Sequence, residues 1–395
     1  MYIRSCPHMK QAWFLAVVAF AQLFAMPNPS AAGEATPTAT VRQSFRFDTE
    51  ERHLLVPVGI EDQEYQFVVD TGCTGNIFDV SLRSHVGGQV DTTIMTIISD
   101  RIQVKRFKAP SHARVGSLPF SNGAVLCEDF TSIREHTGED IHGILGLDFL
   151  KDWTVAIDFD NGRLDFLSPG TEPTSEWGER MAFAYTENGT PYFPARVGKD
   201  GPVFFLALDT GSPTTADLEE WEFSRLVELG HLRFSGRRMA GDLQNVFFSR
   251  VGRASQFRIG SFVHENLRLE SRRHQNAIGL DYLRRFRVTI DFPRKGLYLA
   301  KSRRFAEVDR GSMCGASFLF KPDKVVVDFV DEKSPAYAGG VRAKDVLLAL
   351  CGKPVSALKP PTINHLLRTE GKTITMALER NGKKIEATFV LKEYD

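Results

Sequence analysis

The chain has 395 residues, more than a single hydrophobic core usually serves, so two or three domains are expected. Lys plus Arg number 49 and Asp plus Glu also number 49, so bulk charge names no partner and gives no footing for nucleic-acid binding. The hydrophobic share of 42% is ordinary for a globular protein.

Residues 1–32 have the pattern of a signal peptide. Arg4 and Lys10 make a basic start, residues 12–26 are apolar except for Gln22, and Ser30-Ala31-Ala32 offers the small residues a signal peptidase reads. A membrane-crossing helix needs about 20 apolar residues, and this run is shorter. A cleaved signal is therefore expected over an anchor, with a periplasmic or extracellular destination and no stable membrane span. Residues 33–40, rich in Pro, Thr and Ala, read as a linker. Cleavage removes Cys6 and leaves Cys73, Cys127, Cys314 and Cys351. An exported chain permits disulfides, and the possible pairings stay open. There is no close Cys pair and no His-Glu-x-x-His, so neither a metal nor another cofactor is expected.

From residue 41 the pattern is mostly strand. Residues 54–60 and 65–69 are short apolar or alternating runs separated by polar residues, a hairpin signal. The second run ends at Asp70-Thr71-Gly72. Residues 114–125, with turns at Gly116 and Asn122-Gly123, are a candidate mobile flap, as residues 250–262 are later, but a plain barrel hairpin is the preferred reading of both. A short helix is expected at residues 147–151. Another hairpin follows over residues 155–167, turned by Asn161-Gly162.

The same series then recurs. Phe205, Leu206, Ala207 and Leu208 lead into a second Asp-Thr-Gly, Asp209-Thr210-Gly211. A helix at residues 221–229 has no counterpart before it. Residues 250–262 are the second candidate flap. Aligning Gly146 with Gly279 pairs Leu147 with Leu280, Asp148 with Asp281, and Ile157-Asp158-Phe159 with Ile290-Asp291-Phe292 without a gap. Such internal self-similarity sets the architecture: two similar lobes, residues 41–170 and 175–303, each a small β-barrel or sandwich. Arg272, Arg273, Arg284, Arg285 and Arg287 collect in the second, where a solvated basic face is expected.

Asp70-Thr71-Gly72-Cys73-Thr74 with Ile144-Leu145-Gly146, and Asp209-Thr210-Gly211-Ser212 with Ala277-Ile278-Gly279, resemble the aspartic peptidases. The short lobes and the Gly-Leu-Asp-Phe-Leu ending at Leu150 are most similar to bacterial retropepsin-like members. The resemblance covers roughly residues 41–303. It implies an endopeptidase in which Asp70 and Asp209 activate a water between them. It also implies that Thr71 and Thr210 lock the two loops together and that Gly72 and Gly211 bring backbone close to the carboxylates. With both lobes in one chain, dimerisation is not required. Cys73 and Ser212, unlike in chemistry, suggest that Asp209 ionises more readily, its carboxylate favoured by the Ser212 hydroxyl while a thiol donates weakly.

A third unit follows, residues 311–392. Ser334-Pro335-Ala336, Gly339-Gly340, Asp345-Val346-Leu347 and Gly352-Lys353-Pro354-Val355 resemble the PDZ domains of bacterial exported proteases, with Lys344 where that family usually has glycine. Such domains add an extended peptide to a sheet edge and hold its terminal carboxylate on backbone N–H groups. The resemblance puts that loop at Gly315, Ala316, Ser317 and Phe318 and the flanking helix at residues 362–368. The whole chain is thus expected to be mainly β: two pseudo-symmetric acid-protease-like lobes and a small α+β PDZ domain. Its partners would be polypeptide substrates, including C-terminal peptides. A catalytically silent peptide-binding protein on the same scaffold is the alternative. A serine protease is disfavoured, because no Gly-x-Ser-Gly-Gly setting is present.

Overall fold

The computed structural model describes residues 40–97, 100–120, 123–241, 246–272, 275–310, 313–392 and 394. The segments expected to be a signal peptide and a linker, apart from Thr40, lie outside them, as does Arg273. Among the described residues, no helix is long and apolar enough to cross a membrane.

The fold is mainly β. One sheet runs, edge to edge, through Gln89–Ile97, Asp100–Lys108, Ala124–Glu128, Ile77–Asp79, Ile141–Leu145, Gln63–Val69, Leu55–Ile60, Arg114–Val115 and Leu118–Pro119. A second repeats that order strand for strand: Leu232–Gly241, Val246–Ala254, Arg268–Arg272, Ala216–Glu219, Ala277–Ile278, Val203–Leu208, Pro191–Val197, Phe257–Ile259 and Phe262–His264. The self-similarity in sequence is therefore a self-similarity in pairing.

A six-stranded sheet joins the two. Its central pair, Thr154–Asp158 and Phe286–Asp291, is antiparallel, with Ala156 opposite Thr289. The first of these begins the hairpin expected at residues 155–167, and both strands form hairpins, with partners Arg163–Leu167 and Gly296–Lys301. The short helices form at Leu147–Leu150 and Leu280–Leu283, and the longer one at Glu220–Glu228. One apolar core runs through both repeats, from Phe67, Phe78 and Phe149 to Phe257, Tyr282 and Phe286. Burial of this much apolar surface is the main favourable term for the fold.

Both candidate flap segments hold parts of short barrel hairpins, the preferred reading, and neither is a long hairpin. Residues 114–125 hold the tight hairpin Arg114–Val115/Leu118–Pro119 and the start of an internal strand. Residues 250–262 hold the end of one strand and the first strand of the hairpin Phe257–Ile259/Phe262–His264. The long hairpins are Gln89–Ile97/Asp100–Lys108 and Leu232–Gly241/Val246–Ala254. Glycine turns mark tight corners, whereas these hairpins are built on strands of 9 or 10 residues.

Residues 316–390 make another sheet, ordered Ala316–Lys321, Lys324–Val330, Val346–Leu350, Thr373–Arg380, Lys383–Val390, over a separate apolar core that includes Phe318, Ile363 and Leu378. Gly315 precedes the edge strand with a φ of 73°, a left-handed conformation that glycine adopts without strain. Ala316, Ser317 and Phe318 belong to the strand itself, where a bulge falls between Ser317 and Phe318. Of the expected loop, only Gly315 precedes the strand. The flanking helix spans Pro360–Leu366. Gly138, which follows the helix Thr131–Thr137, packs against Phe320 and Pro360, at one end of the space between edge strand and helix.

Candidate active site

Strand Gln63–Val69 delivers Asp70, and strand Val203–Leu208 delivers Asp209. Each loop is braced from behind by the hydrophobic-hydrophobic-glycine element. Strand Ile141–Leu145 lies parallel to the first, with Leu145 opposite Val69, and the Asp70 N–H donates to the Leu145 carbonyl at 3.0 Å. Ile278 sits opposite Leu208 and accepts from the Asp209 N–H at 3.1 Å. A side chain at Gly146 or Gly279 would collide with the loop carbonyls of Gly75 or Thr214. The buried Asn76 adds a brace, accepting from the Gly146 N–H at 2.9 Å.

The two loops interlock. The Thr71 hydroxyl donates to the Leu208 carbonyl at 2.7 Å and accepts from the Thr210 N–H at 3.1 Å. Thr210 reciprocates, donating to Val69 O at 2.7 Å and accepting from the Thr71 N–H at 3.0 Å. Both threonines are at most 1% exposed. Buried polar groups satisfied in this reciprocal way hold the backbones in one geometry.

Above this lock the two carboxyl groups lie close enough for each to act on the other's proton. Asp70 Oδ1 also accepts from the N–H groups of Gly72 at 2.7 Å and Cys73 at 3.1 Å, and Asp209 Oδ1 accepts from Gly211 at 3.0 Å. The glycines have a second duty. A Cβ on Gly72 would lie 2.8 Å from the Asp209 carboxyl carbon, and one on Gly211 would strike Asp70. Each loop thus leaves room for the other loop's carboxylate.

Burial, then the charge of Asp209, raises the Asp70 carboxyl to about 7, against the pull of the two N–H groups. Burial also raises Asp209, opposed first by the Arg272 guanidinium. Two carboxyls in contact cannot both ionise cheaply, so the pair shares a proton.

Ser212 does not act as the sequence suggested. Its hydroxyl donates to Asp217 Oδ2 at 3.1 Å, and Thr214 and Arg272 Nε reach the same oxygen, each at 2.9 Å. A wholly buried carboxylate competes for nearby donors because its desolvation cost is high. The Cys73 thiol donates to the Gly75 carbonyl at 3.1 Å, and burial, then Asp70, raises its pKa well above normal. Cys73, Cys127, Cys314 and Cys351 form no disulfide.

The arginines of the second repeat do not form a solvated face. Arg272 pairs with Asp217, Arg284 with Asp281 and the carbonyls of Glu51 and Arg52, and Arg285 caps the carbonyls of Phe305 and Glu307. Among those described, only Arg287 is exposed. Asp217 was missed in the sequence. Its signal, an acid between Ala216 and Leu218 in a buried strand, gains meaning only once Glu270 and Arg272 are known to lie on the neighbouring strand.

Residues 56–149 match the family model for aspartyl proteases. That span carries the first Asp-Thr-Gly and its bracing element and ends before Asp209, and it supports a protease. No curated protein matches the chain. Among solved structures, a photosystem II D1 C-terminal processing protease is similar over 23% of this chain and 26% of its own, at 18% identity and a TM-score of 0.21, too low to carry an argument.

Proposed function

We propose that the chain is an exported, retropepsin-like aspartic endopeptidase that hydrolyses peptide bonds with a water activated by Asp70 and Asp209. The observation that carries this is the meeting of the two carboxyls above a reciprocal threonine lock. One buried proton shared by two carboxyls places an acid and a base side by side. The ionised carboxyl takes a proton from water as the water oxygen attacks the scissile carbonyl carbon. The carbonyl oxygen takes the proton of the other carboxyl, giving a neutral diol. Proton return to the departing nitrogen, with loss of a diol proton to the second carboxyl, breaks the C–N bond and restores the pair.

The sheet of residues 316–390 is the proposed PDZ domain. Its edge strand Ala316–Lys321 and helix Pro360–Leu366 would take a peptide between them by sheet addition. Ser317 and Asn364 lie on that strand and that helix. Recruitment of polypeptide substrates, in a periplasmic or extracellular setting, completes the proposal.

The test is cleavage of an unfolded protein by wild type, Asp70→Ala and Asp209→Ala, scanned from acidic to neutral pH. Cleavage by wild type alone supports the peptidase. Equal products from all three would leave a peptide-binding protein.

A further inference from the structure

The two aspartates stand on chemically different supports. Behind Asp70 lies an apolar cluster of Leu55, Val68, Ile77, Leu126 and Ile144, with Cys73 packed against it. The sheet register sets Ile77 opposite Ile144 and Leu126, and sets Asp217 opposite Ala277 and Glu270. Where the first repeat places Ile77 and Leu126, the second therefore places two carboxyl groups. Three guanidinium groups meet them: Arg272 on Asp217 at 2.9 Å, and Arg238 and Arg268 on Glu270 at 2.6 and 3.5 Å.

Arg272 connects this charged cluster to the dyad. Its Nη2 donates to Ser212 Oγ at 3.2 Å, and Ser212 follows Gly211, whose N–H holds Asp209. A guanidinium keeps its proton at any pH at which a protein stays folded. Its field on Asp209 is therefore constant, whereas the Asp70 side offers only peptide N–H groups and a thiol.

We propose that Arg272 is a positioning residue that makes Asp209 the charged member of the pair, the base toward water, and leaves the transferable proton on Asp70. This rests on the aspartic-peptidase reading of the site. The ionisable groups facing Asp209 are Asp70 and the Cys73 thiol from the first repeat, Arg272 from strand Arg268–Arg272, and Asp217 from strand Ala216–Glu219. Glu270 stands behind Asp217, and Arg238 and Arg268 stand behind Glu270. Of these, Arg272 is the cation that opposes the effect of burial on Asp209. The bias assigns the steps. Water gives its proton to Asp209 as its oxygen bonds to the carbonyl carbon, and Asp70 protonates the carbonyl oxygen. Asp209 then protonates the departing nitrogen, and a diol hydroxyl returns a proton to Asp70.

The experiment uses the whole protein labelled with 13C at aspartate carboxyls, the two resonances being assigned with Asp70→Asn and Asp209→Asn. In wild type, Asp209 is expected to titrate below Asp70. In the neutral pair Arg272→Gln/Asp217→Asn, the Asp209 titration and the acid limb of the kcat–pH profile are expected to rise by about one unit. Arg272→Lys, which keeps the charge, should leave both near wild type. Asp217→Asn alone, which removes the carboxyl paired with Arg272, should move both downward and serves as the second test where the double variant does not fold. Unmoved titrations in a folded double variant, or an upward shift in Asp217→Asn, would overturn the proposal. The titration needs no turnover. A protein that cleaves nothing would defeat the peptidase reading while the order of the two resonances still judged Arg272.

Discussion

Thr71 and Thr210 each donate to a backbone carbonyl of the opposite repeat and accept the other's N–H, all four bonds falling between 2.7 and 3.1 Å. Neither loop can move without breaking bonds that belong to the other. The expected consequence is a stability effect out of proportion to one hydroxyl. Thr71→Val keeps the shape but strands the Leu208 carbonyl and the Thr210 N–H in the interior. Leaving a buried polar group unsatisfied costs about 1–3 kcal/mol, so a loss of about 2–6 kcal/mol is expected in urea unfolding. A loss below about 0.5 kcal/mol, the level of an ordinary surface change, would mean the lock is not rigid.

Gly72→Ala tests the other side of the same geometry. The new methyl would fall 2.8 Å from the Asp209 carboxyl carbon and push that carboxyl off its partner. A displacement of about 1 Å at reacting groups can cost about 100-fold in rate. Cleavage of a quenched peptide is expected to fall by that order while circular dichroism stays unchanged.

Asp70 should leave a signature in stability as well as in rate. Its folded value of about 7 lies above the ordinary 3.8. Between those values the folded chain holds the proton more firmly than the unfolded chain does. Stability therefore falls as pH rises through the window and levels off above it. Asp70→Asn removes this titration. Its Tm is expected to exceed that of wild type by several degrees at pH 8 and to match it near pH 4. A constant Tm difference across that range would contradict a raised carboxyl.

Glu139 makes the opposite case. Burial pushes its carboxyl up, but the hydrogen bond and charge of His53, then Arg52, outweigh burial and hold it below the usual 4.5. It accepts from the Arg52 N–H at 2.5 Å and the His53 N–H at 3.2 Å, and meets His53 Nδ1 at 2.5 Å. Its contribution is present above the unfolded value and is lost as pH falls through the lower folded one. Glu139→Gln is expected to cost about 1–3 kcal/mol at pH 7, with the difference shrinking as the solution is acidified below about pH 4. Chemical unfolding at the two pH values measures it.

The parts legible in the sequence were those written in local pattern. Both Asp-Thr-Gly turns, the glycines at 146 and 279, and the paired hairpins ending each repeat follow from apolar runs punctuated by turn residues. What escaped depends on which distant residues share a sheet. Asp217 and Glu270 are 53 positions apart in sequence and adjacent in register. Without that pairing, Arg272 resembles surface charge. Ser212 misled for a different reason: Asp217 lies only five positions on, but which of two nearby carboxyls its hydroxyl meets is set by the turn between them. The long hairpins were missed because their strands mix polar and apolar residues without a clean period of two, and the loop assigned to residues 315–318 is mostly strand because Phe318 packs into the core below it.

The measurement closest to the central claim is kcat for Asp209→Asn on a single quenched peptide at the wild-type pH optimum. Asparagine keeps the shape and removes the base, so a loss of at least about 1,000-fold, within the range general-base catalysis supplies, is expected with the thermal transition intact. A folded variant retaining more than a tenth of the wild-type rate would show that water is activated elsewhere.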